Sequence, residues 1–106
     1  MLNIQEKIKK QIRENKIIVY MKGNPETPSC GFSANVINIL NNLNIKYVYV
    51  DVIKNQEIRK ELPKISHWPT FPQIFLNGVL IGGSDIITEL YENKKLEDLI
   101  NKQLGT

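Results

Sequence analysis

Apolar and polar positions alternate along this chain with two periods, and the changes of period mark its elements. Ile4, Ile8 and Ile12 stand four apart with charges between them, which predicts a helix over about residues 3–14. Ile17-Ile18-Val19-Tyr20-Met21 is a short β-branched apolar run and predicts a buried strand. Residues 22–29 carry Gly23, Pro25 and Pro28 and predict a loop. Phe32, Val36, Ile39, Leu40 and Leu43 form one stripe of a helix over residues 30–43. The segment from Ile45 to Asp51 alternates and is β-rich, hence a strand.

Residues 55–62 predict a short helix that Pro63 ends. Pro72–Leu76 and Val79–Ile81 predict strands, joined by Asn77-Gly78, a strong type I′ hairpin signal. Gly82-Gly83-Ser84-Asp85 leads into a helix over about 85–92, and a last helix covers about 95–103. The order α-β-α-β-α-β-β-α-α is a βαβ unit followed by a hairpin and helices. It predicts a small mixed sheet with helices on both faces. No repeat, low-complexity segment or linker interrupts it, so one domain over 1–106 is expected.

Composition narrows the class. Hydrophobic residues make up 42% and charged residues 24%, as in a globular domain with a real core. The net charge of +3 is spread out, and the basic run Lys7-Ile8-Lys9-Lys10 with Arg13 reads as the solvated face of the first helix. No aromatic residues interleave with it, so a nucleic-acid partner is not expected. Met1-Leu2-Asn3-Ile4 leads straight into an amphipathic pattern, not an apolar signal core, and no stretch approaches the ~18 apolar residues of a membrane span. A cytoplasmic location is expected.

Cys30 is the only cysteine. It excludes an internal disulfide and suits a reducing compartment. With a single histidine as well, the chain alone cannot build an ordinary four-ligand Cys/His zinc cage. Cys30 sits in Pro28-Ser29-Cys30-Gly31-Phe32-Ser33, with Ser33 where a C-x-x-C motif would place a second sulfur. At a helix start the unpaired N–H groups and the positive dipole end favour a thiolate. Gly31 permits close approach of a ligand, Ser33 can donate to the sulfur, and Lys22 can add positive charge across the loop. The alternative is a buried, inert cysteine. His67, before Trp68-Pro69, is expected on the surface or in packing, not at a metal, and Trp68 is expected to pack near the site.

Cys30-Gly31-Phe32-Ser33 resembles the active-site motif of the CGFS-type monothiol glutaredoxins. Tyr20-Met21-Lys22-Gly23, Pro25, Trp68-Pro69-Thr70-Phe71-Pro72-Gln73, Gly78 and Ile81-Gly82-Gly83-Ser84-Asp85 follow in the order and spacing of that family. The likeness covers nearly the whole chain and is nearest to the short single-domain bacterial members of the glutaredoxin D type.

The resemblance implies an α/β, thioredoxin-like (glutaredoxin) fold with a four-stranded mixed sheet flanked by helices. It also implies a glutathione site. Lys22 would pair with the glycine carboxylate of glutathione, with Arg59 as a second cation. A cis peptide before Pro72 would turn the Phe71 backbone toward the bound peptide. Gly82 and Gly83 would allow close approach. The N–H groups of Ser84 and Asp85 would hold the γ-glutamyl carboxylate, and the Asp85 carboxylate its ammonium. Each has a plainer alternative: surface cations at Lys22 and Arg59, a strand end at Gly82-Gly83, a helix cap at Asp85, a trans proline at Pro72.

Ser84 stands where many members carry a second cysteine, so no two-cysteine cycle can run within one chain. The resemblance implies instead a [2Fe–2S] cluster with Cys30 from each of two chains and two glutathiones as ligands. That means a homodimer bridged by the cluster, BolA-like partners, and transfer to apo iron–sulfur acceptor proteins. The alternative function is glutathione-dependent thiol–disulfide exchange with Cys30 as sole nucleophile.

Overall fold

In the computed structural model, which describes residues 2–105, nine elements follow in the expected order; Met1 and Thr106 of the expected domain lie outside the described residues. They are α1 (Ile4–Glu14), β1 (Ile17–Met21), α2 (Gly31–Asn42), β2 (Val48–Asp51) and α3 (Gln56–Ser66), then β3 (Gln73–Leu76), β4 (Val79–Gly82), α4 (Ser84–Glu92) and α5 (Leu96–Leu104). The sheet order is β2-β1-β3-β4, with β1 and β2 parallel and the other two pairs antiparallel. This is the thioredoxin-like glutaredoxin fold.

Side chains alternate across a strand, so β1 feeds two cores at once. Ile17, Val19 and Met21 join Val36, Leu40, Ile87 and Ile100 under α2, α4 and α5. Ile18 and Tyr20 join Ile8, Ile12, Ile58 and Leu62 under α1 and α3. Covered on both faces, the central strands β1 and β3 are buried throughout; β1 reads as an unbroken apolar run, and β3 does so after its first residue, Gln73. The edge strands are partly open: Val48, Tyr49 and Val79 are exposed.

Three expectations need correction. Pro63 does not end α3, which continues to Ser66. The missing proline N–H removes one helical bond, but the apolar stripe Ile58–Leu62 runs on to Ile65, which packs against the same core. The helix stops at His67, whose left-handed backbone lets its N–H bond the Pro63 carbonyl at 2.9 Å. The strand expected from Ile45 begins only at Val48. The Ile45 N–H is spent closing α2 on the Leu40 carbonyl at 3.0 Å, so it is not available to a ladder. Phe32 heads the apolar stripe of α2 yet is 64% exposed, because the first turn of α2 borders a groove and not the core. The Asn77-Gly78 hairpin has positive φ at both residues, 50° and 83°, as a type I′ turn requires.

Candidate functional site

The site begins with how Cys30 is held. It is the N-cap of α2, with φ −148° and ψ 152°, so its backbone is extended while its side chain faces the first helical turn. Its sulfur accepts the Ser33 N–H at 3.3 Å and lies 3.3 Å from the Ser33 hydroxyl. Ser33 is fully buried, and its hydroxyl oxygen accepts the Lys22 N–H at 3.1 Å. That bond fixes the hydroxyl and leaves its proton free to donate to a thiolate. Burial alone pushes the Cys30 thiol up. Hydrogen bonds from the Ser33 hydroxyl, the Ser33 N–H and the Phe32 N–H oppose it, together with the charge of Lys22, and the net result lies below the ordinary cysteine value.

The loop before Cys30 is tightly built. Ser29 N–H bonds the Lys22 carbonyl at 2.8 Å, and Gly23 bridges to Pro28. The Asn24 side-chain oxygen accepts the N–H groups of Glu26 and Thr27 at 3.0 and 2.9 Å, an Asx turn. Gly23 has φ +91° and donates its N–H to the nearly buried Asp51 carboxylate at 3.0 Å. The same Asp51 oxygen accepts Ile53 N–H at 2.9 Å, so the end of β2 fixes the turn that carries Lys22.

Beside this loop runs a groove of about 520 Å³. Lys22, Arg59, Phe71, Gly83, Ser84 and Asp85, the residues singled out in the sequence, all line it. Cys30 is not itself a wall residue. It joins the wall through Phe32, two residues on, and through Ser33 to Lys22. The Phe71–Pro72 peptide is cis. Neither Lys22 nor Arg59 forms an ion pair with a described residue. Also in the lining, α4 starts at Ser84 with no side-chain cap, so the Ser84 and Asp85 N–H groups have no intrahelical partner at its positive end. The groove thus brings two cations and an uncapped helix start into one lining.

Gly83 has a steric reason. A Cβ there would stand 3.1 Å from the Pro72 carbonyl oxygen and 3.3 Å from Trp68 Nε1. Trp68 packs beside the site, as expected, but it also lines the groove, and its indole N–H is buried without a partner. His67 is exposed and ends α3. Among the described residues no group of three or more His, Cys, Asp or Glu could hold a metal.

Two features were not anticipated. Asn35 donates to the Ser84 hydroxyl at 2.9 Å and to the Thr88 hydroxyl at 2.7 Å, tying α2 to α4 just behind the groove. Ser84 thus serves as a polar strut where a second sulfur had been the point of comparison. Gln73, fully buried, bonds back to the loop before it. Both are contacts between distant or buried polar groups, for which local pattern carries no signal.

A single helix-capping thiol beside an open groove, on a βαβ–ββα scaffold with a cis-proline loop, places the chain in the class of thioredoxin-like thiol proteins. The profile of the glutaredoxin family matches residues 17–81. The chain is 52% identical over 101 residues to a protein named Glutaredoxin 4 of Buchnera aphidicola from Acyrthosiphon pisum, covering 95% of this chain and 94% of that one. It is 50% identical over 97 residues to Glutaredoxin 4 of Escherichia coli K12, covering 92% and 84%. The solution structure of reduced poplar apo GrxS14 superposes with a TM-score of 0.82 at 34% identity, over 97% of this chain and 94% of that one. This chain belongs to the glutaredoxin family.

Proposed function

We propose that this glutaredoxin binds glutathione along the groove and uses Cys30, with glutathione, to hold one corner of a shared [2Fe–2S] cluster. The cluster is cargo, passed on to apo iron–sulfur proteins in the cytoplasm. The observation that carries the reading is the groove wall: cations at Lys22 and Arg59, Phe71 at the cis-proline bond, and the uncapped start of α4 line one channel beside a lone thiol whose ionisation is favoured. Those groups fit an extended peptide with carboxylates near both ends.

A chain with one cysteine supplies one thiolate, and a four-thiolate cluster needs four. A homodimer with two glutathiones completes the set, and a BolA-like partner offering its own ligand is the other assembly. Cys30 and the glutathione thiol would be the ligands, and the protein's part is to orient both and favour the Cys30 thiolate. Anaerobic reconstitution with iron, sulfide and glutathione is expected to give a visible cluster absorption and a dimer that requires both Cys30 and glutathione. A Cys30→Ser chain that assembles the same cluster would refute the ligand assignment.

The lowered thiol also supports a second reading. Cys30 thiolate attacks the disulfide of a glutathionylated protein, releases that protein's thiolate and takes up the glutathionyl group. A second glutathione then restores Cys30 and leaves as glutathione disulfide. Fast steady-state turnover in a chain that binds no cluster would favour this reading over the carrier.

A further inference from the structure

We infer that Gln73 is the positioning residue for the groove wall that faces a bound peptide. The inference rests on the glutathione reading and says which residue holds that site in shape. Trp68, Pro69, Thr70, Phe71 and Pro72 all line the groove. This stretch has little of its own to hold it. Two of its residues are prolines without an N–H, and among the described residues it forms no backbone–backbone hydrogen bond.

Three side-chain bonds remain. Trp68 N–H donates to the Ser66 hydroxyl at 3.2 Å. Gln73 Nε2 donates to the Trp68 carbonyl at 2.8 Å and to the Thr70 carbonyl at 3.2 Å. Both N–H groups of one amide therefore clamp the loop on either side of Pro69. Because both partners are carbonyls, the amide must present its nitrogen to them, and its oxygen is left buried without a donor.

The anchor for this clamp is rigid. Gln73 begins β3, an interior strand, and pairs with Tyr20 of β1. Its side chain is fully buried, so it lies behind the groove wall and does not touch a ligand. Tyr20 lies two residues before Lys22, so one rung of the sheet indexes both the cation and the loop that carries Phe71. A long neutral donor is required at position 73. Glutamate could not donate, and an apolar side chain would leave both carbonyls unheld.

The test is Gln73→Met, which keeps length and apolar volume but removes both donors. A distant core variant, Ile100→Val, serves as the control for general loosening. NMR titration with reduced glutathione is expected to show at least five-fold weaker binding in Gln73→Met and binding within two-fold of the natural chain in Ile100→Val. Backbone ¹⁵N order parameters at Thr70 and Phe71 should fall in Gln73→Met alone, while the pH midpoint of Cys30 ionisation stays put. Unchanged order at Thr70 and Phe71 overturns the clamp even if glutathione fails to bind the natural chain, a result that would count against the glutathione site itself. Equal affinity of Gln73→Met and the natural chain overturns the positioning role.

Discussion

Gly23→Ala tests how the loop before Cys30 is made. A Cβ at Gly23 would lie 2.6 Å from Ser29 N, 2.6 Å from the Thr27 carbonyl oxygen and 2.8 Å from Ser29 Oγ. Ordinary contacts of carbon with other heavy atoms begin near ~3.5 Å, so the overlap is close to ~1 Å. Two of the three atoms are backbone, and no rotamer change relieves them. The φ of +91° adds a cost of about 1–2 kcal/mol for an L-residue.

Moving the loop aside breaks the Ser29 N–H bond to the Lys22 carbonyl, worth about 1 kcal/mol. It also strains the Gly23 N–H bond to the Asp51 carboxylate, worth about 1.5 kcal/mol or more. The sum is a loss of about 4 kcal/mol, or roughly 15–25 °C in Tm for a domain of this size. Urea unfolding monitored by circular dichroism measures it. Gly31→Ala is the internal comparison. A Cβ at Gly31 meets nothing within 4 Å, and the residue opens α2, so stability should hold within about 0.5 kcal/mol or improve. A loss below about 1 kcal/mol for Gly23→Ala, or equal losses for both variants, would show that the loop is not the rigid frame described.

The thiol gives a prediction in pH. Its native value is lowered, so the folded chain binds fewer protons than the unfolded chain in the window between that value and the ordinary cysteine value. Stability should therefore rise with pH across that window and fall away as pH drops through the native value, and Cys30→Ser should be flat there. Ser33→Ala removes the hydroxyl bond to the sulfur and should move the ionisation midpoint, read by thiolate absorbance, upward; a downward move would contradict the assigned hydrogen bond. Lys22→Ala and Arg59→Ala should each weaken glutathione by about 5–10-fold at low salt, as loss of a half-exposed charge-assisted contact of about 1–1.4 kcal/mol implies. Raising the salt concentration should shrink that difference, and a salt-independent loss would point to packing instead.

Much of this was visible in the chain's pattern. The unbroken apolar run Ile17–Met21 reads as a buried strand, which the structure divides between two cores, and the Asn77-Gly78 turn follows from two positions that tolerate positive φ. The groove residues Lys22, Arg59, Phe71 and Gly83–Asp85 were legible only through the resemblance to the family; most lie at element ends, but Arg59 stands inside α3. What failed was local reasoning applied where tertiary burial decides. Pro63 reads as a stop until Ile65 is seen against the core, and Ile45 reads as strand until its N–H is found closing α2. Phe32 reads as core because periodicity cannot tell a helix's apolar stripe over a sheet from its first step beside an open groove. Asn35 and Gln73 carry no local signal, since their partners are set by the fold.

The capping role of Cys30 has one more consequence. The sulfur that would form bonds is also the acceptor that caps a helix, so both tasks draw on the electron density of one atom. A thiolate is the stronger acceptor, and a sulfur shared with a metal or bonded to another sulfur is a poorer one. Each bond formed at Cys30 therefore loosens the first turn of α2, and each bond broken tightens it again. The helix end therefore favours the free thiolate over any form in which the sulfur is bonded to something else.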